Sequence, residues 1–213
     1  MTQYHQWYQE LQVERTIKAL KKNNFDARFF PKASAALEEI WKMIPEGAKV
    51  GYGGSLTLTQ IGFIDEIQKR PVKFLNPFAK GLSPEEGERI RREVFTADFF
   101  FASSNAITED GKLFNIDATG NRVGAMMFGP KKVILICGVN KIVKDIAEAQ
   151  KKVQEWTAPV NVKRLGYKCP CGQTGECSDC ASPERICNAY VVLAKKPRRT
   201  DISIFLIGEV LGL

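Results

Sequence analysis

Five cysteines fall within nineteen residues, spaced Cys169-x-Cys171-x5-Cys177-x2-Cys180-x6-Cys187. Four thiolates can bind zinc tetrahedrally and staple a loop that has no core of its own, and an iron–sulfur cluster draws on the same ligand type. Cys177-x2-Cys180 has metal-ligand spacing, whereas Cys169-x-Cys171 does not. The pattern marks the five as candidate ligands for zinc or an iron–sulfur cluster. Reduced packing thiols or a labile disulfide are the alternatives. The sixth cysteine, Cys137, lies in an apolar run and reads as core.

A second set is Gly51-Tyr52-Gly53-Gly54-Ser55-Leu56-Thr57, at the end of an apolar run. Glycines let a ligand approach the main chain closely. The start of a following helix offers free N–H groups to an anion, and Ser55 and Thr57 add hydroxyls. Gly51, Gly53, Gly54, Ser55 and Thr57 are therefore candidate binders of a phosphate or carboxylate. The alternative is a tight turn that needs glycine for geometry alone. The loop is not a dinucleotide fingerprint, because Leu56 stands at the third glycine position, and there is no phosphate-loop lysine.

The third set is Asn115-Ile116-Asp117-Ala118-Thr119-Gly120-Asn121-Arg122. Asp117 is a candidate general base, or a pin for the loop. Arg122 is a candidate clamp for a carboxylate through two parallel hydrogen bonds. Thr119, Gly120 and Asn121 complete the candidate site, with local turn chemistry and a helix cap at Asn121 as the alternative. Ser103-Ser104-Asn105 ends another apolar run and offers Asn105 as a further ligand-facing amide. Phe99-Phe100-Phe101 reads as core and not as a base-stacking platform.

These residues sit in a chain of 213 residues with 44% hydrophobic and 26% charged side chains, the composition of a globular protein. Lys and Arg number 31 against 24 Asp and Glu, for a net charge of +7. The excess is spread along the chain, so a nucleic-acid stripe is not indicated, and attraction of a small anionic metabolite is the inference. The one histidine, His5, leaves little room for a Ser-His-Asp triad, a Cys-His pair or a histidine metal site. No targeting segment or bilayer-length apolar run is seen, so a cytoplasmic protein without membrane insertion is expected.

Strand and helix patterns alternate along the chain. A helix is expected over 4–22, and another from the Gly-rich loop to about Ile67. Ser83-Pro84-Glu85-Glu86 is a helix start with Ser as cap and Glu three residues on. A hairpin is expected across Asp110-Gly111, and a helix over Val143–Trp156 that gives way near Pro159. Alternation of this kind predicts an α/β fold, a three-layer sandwich with a largely parallel central sheet. The Cys-rich segment, about 165–188, is expected as a loop on that sheet. Ala189–Ala194 and Ile202–Ile207 are expected as a C-terminal hairpin completing it. One domain over 1–213 is favoured. In such sheets sites gather beyond the carboxyl ends of strands, so the polar loops are expected to share a pocket.

Taken together, the motifs resemble the lactate-utilisation (LUD-domain) family of the LutC/YkgG type. The matching pieces are Val50 through Thr57, Ala97-Asp98, Gly111 through Arg122, Gly129-Pro130, Gly138-Val139-Asn140-Lys141 and Gly208 through Gly212. The Cys-rich stretch looks like an insert seen in one branch of that family. The resemblance implies a fold like ribose-5-phosphate isomerase, glucosamine-6-phosphate deaminase (NagB) and the CoA transferases. It also implies a role in oxidising lactate to pyruvate beside iron–sulfur and oxidase-like partner subunits.

Three functions are considered, the first from the resemblance and the others from the residues. The first is a subunit or accessory protein for lactate or a related organic acid. Whether this chain is itself an enzyme is open, because it carries no flavin or nicotinamide motif. The second is a sugar-phosphate isomerase or acyl-CoA enzyme with the Gly-rich loop as phosphate cradle and Asp117 as base. The third is a metal-stapled, non-enzymatic assembly module. A homo-oligomer is compatible with all three.

Overall fold

In the computed structural model, which describes residues 3–213, the elements run in the following order. Helix α1 (Gln3–Lys22) leads to strand β1 (Asp26–Phe30), helix α2 (Ala33–Met43) and strand β2 (Lys49–Tyr52). Two short helices, α3 (Leu56–Gln60) and α4 (Phe63–Ile67), precede β3 (Lys73–Leu75) and α5 (Pro84–Glu93). Then come β4 (Phe99–Ala102), β5 (Ala106–Thr108), β6 (Leu113–Asp117), α6 (Asn121–Met127), β7 (Lys132–Gly138) and β8 (Ile142–Val143). Helices α7 (Ile146–Lys152), α8 (Ala158–Leu165) and α9 (Cys171–Thr174) precede β9 (Ala189–Leu193) and β10 (Asp201–Ile207).

Six strands form a wholly parallel sheet in the order β1-β10-β7-β4-β2-β3. Its faces follow from the pleat, in which alternate residues point to opposite sides. Val133, Leu135 and Cys137 of β7 join a core with Leu20 of α1 and Met126 of α6. Ile134 and Ile136 join the opposite core with Ile40 of α2 and Phe63 of α4. Helices thus cover both faces, as a parallel sheet requires. Phe100 and Phe101 are divided between these two cores, which confirms their packing role.

The C-terminal hairpin is not formed. β10 lies inside the parallel sheet between β1 and β7, and β9 pairs antiparallel with β6 in a separate four-stranded sheet, β8-β5-β6-β9. The expected β5–β6 hairpin is part of that second sheet. Its turn needs Gly111 at φ +81°, where an added Cβ would stand 2.5 Å from the α1 backbone at Ala19.

Two helix expectations are also corrected. The helix after the Gly-rich loop breaks at Gly62, which is left-handed at φ +78° and starts α4. The helix expected over Val143–Trp156 begins at Ile146 and runs on past Pro159, through a π-turn over Val153–Thr157 that feeds α8. Among the described residues no helix is long and apolar enough to cross a membrane.

Candidate functional site

The carboxyl ends of β2, β4, β7 and β10 meet at one cavity of about 250 Å³. Gly53 to Thr57 come from beyond β2, and Ser103 to Asn105 from beyond β4. Lys141 follows β7, and Gly212 follows β10. Asp117, Thr119, Asn121 and Arg122 form a wall from the end of β6 and the start of α6. The polar loops singled out in the sequence therefore share a pocket. Gly51 and Gly120 are not among its lining residues. Gly51 lies within β2, where an added Cβ would meet Val94 at 2.9 Å, so close packing is its role. Gly120, left-handed at φ +86°, gives its N–H to Asp117 and opens α6.

The Gly-rich loop is closed on itself. Tyr52 Oη accepts from Ser55 N at 2.8 Å and donates to Ser55 O at 3.1 Å, and Ser55 Oγ accepts from Leu58 N. The helix it enters, α3, has only five residues. Ser55 N and Leu58 N are thereby taken and α3 is little more than one turn, so this helix start offers an anion fewer donors than the sequence pattern implies. Gly53 is needed for contact: a Cβ there would meet Phe100 at 2.6 Å and Arg122 Cγ at 3.2 Å.

Arg122 is corrected from a ligand clamp to a tie between loops. Its side chain is 12% exposed. Nη1 donates to Ser103 O at 3.0 Å and to Asn115 Oδ1 at 2.8 Å. Nη2 donates to Asn105 Oδ1 at 3.1 Å and to Ile116 O at 2.6 Å. Nε lies 3.4 Å from Asp117 Oδ2. A guanidinium has five N–H donors; four of them are hydrogen-bonded within the loops, and the fifth, on Nε, faces the Asp117 carboxylate. Burial pushes its pKa down, with Asp117 and Cys137 opposing. Asn105 completes the tie by accepting from Ile116 N at 3.0 Å.

Asp117 takes the loop-pinning role. Its Oδ1 accepts from Thr119 N at 3.1 Å and Gly120 N at 2.8 Å, while Oδ2 faces Arg122. Its main-chain carbonyl accepts from Asn188 N, and Asn188 Nδ2 donates to Ala118 O at 3.0 Å. The end of the Cys-rich segment is thus fastened to the pocket wall.

Lys141 is the residue that the site reading missed. It is 4% exposed, and its Nζ donates to Ser104 O at 3.0 Å. No carboxylate among the described residues pairs with it. Burial lowers its pKa to about 8; the Cys137 thiol opposes this, and Lys152 and Arg122 add to it. Beside it, Thr57 Oγ1 is buried with no hydrogen-bond partner among the described residues. Gly212, at φ +67°, lies between them: an added Cβ would collide with Thr57 Oγ1 and stand 3.3 Å from Lys141 Nζ. The available signal was a lone lysine three residues beyond the most apolar central strand, where a charge has no packing reason to be.

The Cys-rich segment packs on the second sheet and α8. Cys169 is buried in a cluster with Phe114, Ile116 and Val162, and Cys171, Cys180 and Cys187 pack against it. Cys177 is exposed, and all five cysteines are free thiols. All five border one small, largely apolar cavity beside the pocket, and Ala158 and Ile186 border both. Among the described residues no group of three or more His, Cys, Asp or Glu side chains is placed to hold a metal ion. The expectation of zinc or an iron–sulfur cluster at Cys169, Cys171, Cys177, Cys180 and Cys187 is therefore not supported by the arrangement of these side chains. The thiols differ in burial, from Cys169 in the apolar cluster to the exposed Cys177, although they border one small cavity.

A family model for the LUD domain matches residues 13–207. Among solved structures, a DUF162 family protein from Deinococcus radiodurans is similar at a TM-score of 0.55 and 12% identity, covering 94% of this chain and 98% of that one. Ribose 5-phosphate isomerase A from Methanocaldococcus jannaschii matches 52% of this chain and 53% of its own, at a TM-score of 0.34 and 17% identity. No curated protein sequence matches the chain.

Proposed function

Because the chain belongs to the LUD-domain family, we propose that it serves lactate utilisation as a cytoplasmic protein that binds a small organic-acid anion beyond the central sheet. The observation that carries this reading is Lys141, a buried ammonium with a carbonyl for its acceptor and no carboxylate among the described residues to balance it. An unpaired buried charge is costly, and a bound carboxylate removes that cost. Thr57 Oγ1 supplies a neighbouring hydroxyl. The cavity, about 250 Å³, lies below the roughly 300–1,000 Å³ of sites for drug-sized ligands and suits a small metabolite.

In this reading Arg122 and Asp117 are positioning residues. They hold Asn105, Ser103 and the 117–120 turn in place around the anion. The redox half of lactate oxidation belongs to iron–sulfur and oxidase-like partner subunits, as the family resemblance implies. The sugar-phosphate alternative is the weaker one, because the Gly-rich loop gives Ser55 N to Tyr52 and not to a phosphate. Calorimetric titration of L-lactate and pyruvate into the parent chain and Lys141→Met tests the reading. Binding by the parent and a loss of about tenfold or more in the variant is expected, since a charge-assisted bond is worth about 1.5–3 kcal/mol. Equal affinity in the two proteins, or no binding by a folded parent, overturns it.

A further inference from the structure

The charge around the pocket exceeds what one carboxylate neutralises. Four cationic side chains line it: Arg91, Arg122, Lys141 and Arg164. Arg122 is offset by Asp117, the one acidic side chain in the lining. The other three have no carboxylate within ion-pair distance among the described residues. The neighbours of Arg91 on α5 do: Arg89 pairs with Glu93 and Arg92 with Glu88.

Arg91 and Arg164 are held at the pocket by uncharged partners. The Arg91 guanidinium lies 5.6 Å from the centre of the Phe78 ring, and Phe78 in turn packs edge-on to Tyr52 at 5.8 Å. Phe78 closes over Gly54, where an added Cβ would stand 2.8 Å from the ring. Arg164 donates through Nε at 3.0 Å and Nη2 at 2.8 Å to Asn161 Oδ1, itself a lining residue. Stacking and amide contacts orient a guanidinium without neutralising it, and leave N–H donors over for a ligand. Arg91 is half-buried and Arg164 exposed, whereas Lys141 is buried. The positive charge therefore sits at two depths.

Resting on the anion-binding reading above, we propose that the ligand is an organic acid with a second anionic group, carboxylate or phosphate, and that Arg91 and Arg164 receive that group while Lys141 and Thr57 receive the first. Lactate, with one charge, fills only the inner position. The selectivity lies in separation of charge: a compact anion satisfies one position, and only a ligand with two separated groups satisfies both.

Calorimetric titration of L-lactate, L-malate, 2-phosphoglycolate and inorganic phosphate into the full chain tests this, repeated with Arg91→Gln, Arg164→Gln and Lys141→Met. L-malate or 2-phosphoglycolate is expected to bind at least about tenfold tighter than lactate and inorganic phosphate, the ratio that one further charge-assisted contact supports. Whichever binds tighter tells a carboxylate from a phosphate at the outer position. In Arg91→Gln and Arg164→Gln that preference over lactate is expected to shrink severalfold, while Lys141→Met weakens every organic acid. Lactate binding as tightly as both two-group acids, or an arginine change that weakens all ligands equally, overturns the inference and leaves the anion-binding reading standing. Absence of binding by every acid overturns both.

Discussion

Adjacent carbonyls hold the two deepest cations of the pocket. Ser103 O accepts from Arg122 Nη1 and Ser104 O accepts from Lys141 Nζ, each at 3.0 Å. The first cation is balanced by Asp117 and has both terminal nitrogens hydrogen-bonded, whereas the second has no carboxylate partner among the described residues. This contrast assigns scaffolding to Arg122 and ligand contact to Lys141.

The scaffolding role predicts a stability effect at Arg122. Lysine cannot reproduce a planar fork that reaches Ser103, Asn105, Asn115 and Ile116 together. Arg122→Lys is expected to lower unfolding free energy by roughly 3 kcal/mol, in the range for breaking a buried charged network. Urea unfolding measures it, and a change below about 0.5 kcal/mol counts against the tie.

The pKa of Lys141 has a stability consequence. Its folded pKa of about 8 lies below the ordinary value of 10.5. Between these two values the unfolded chain binds more protons, so stability rises with pH across that window, and below pH 8 the full cost of the buried charge is present. Relative to Lys141→Met, the parent is expected to gain roughly 3 kcal/mol from pH 8 to 10.5. Parallel stability profiles for the two proteins exclude this.

Gly212 predicts a steric block. Its left-handed φ of +67° and its place between Thr57 and Lys141 leave no room for a methyl group. Gly212→Ala is expected to weaken lactate binding more than tenfold, and to cost about 1–3 kcal/mol of stability through the left-handed backbone. Unchanged affinity places the anion elsewhere.

The cysteines divide by burial. Cys169 is 2% exposed in an apolar cluster, and Cys177 is exposed. Cys169→Ser is expected to cost about 1–3 kcal/mol and Cys177→Ser less than about 0.5 kcal/mol. Alkylation followed by peptide mass mapping should find Cys177 modified first and Cys169 last, and the reverse order contradicts this packing.

The parallel sheet was legible because its strands are apolar runs divided by helices. The Ser83–Glu86 capping box was legible because its signal is local, and it forms as read. β9 and β10 were joined in error because they are neighbours in sequence. Their patterns differ, however. Tyr190 and Val192 of β9 are exposed on alternate positions, whereas Ile202–Ile207 is buried throughout, the mark of a central parallel strand. At the site, the loops were legible from their glycines and amides. The roles of Arg122 and Lys141 were not, because they depend on which carbonyls and carboxylates the fold brings within reach.

The central claim is that the Lys141 ammonium seats the anion, and the pH dependence of lactate affinity tests it most directly. A lysine with a pKa of about 8 loses its charge above that pH, so Kd for the parent is predicted to hold steady near pH 7. It should then rise toward tenfold per pH unit above about pH 8, with Lys141→Met weak and flat across the same range. A parent Kd that stays constant from about pH 7 to 9.5, or a variant that follows the parent's curve, contradicts the account.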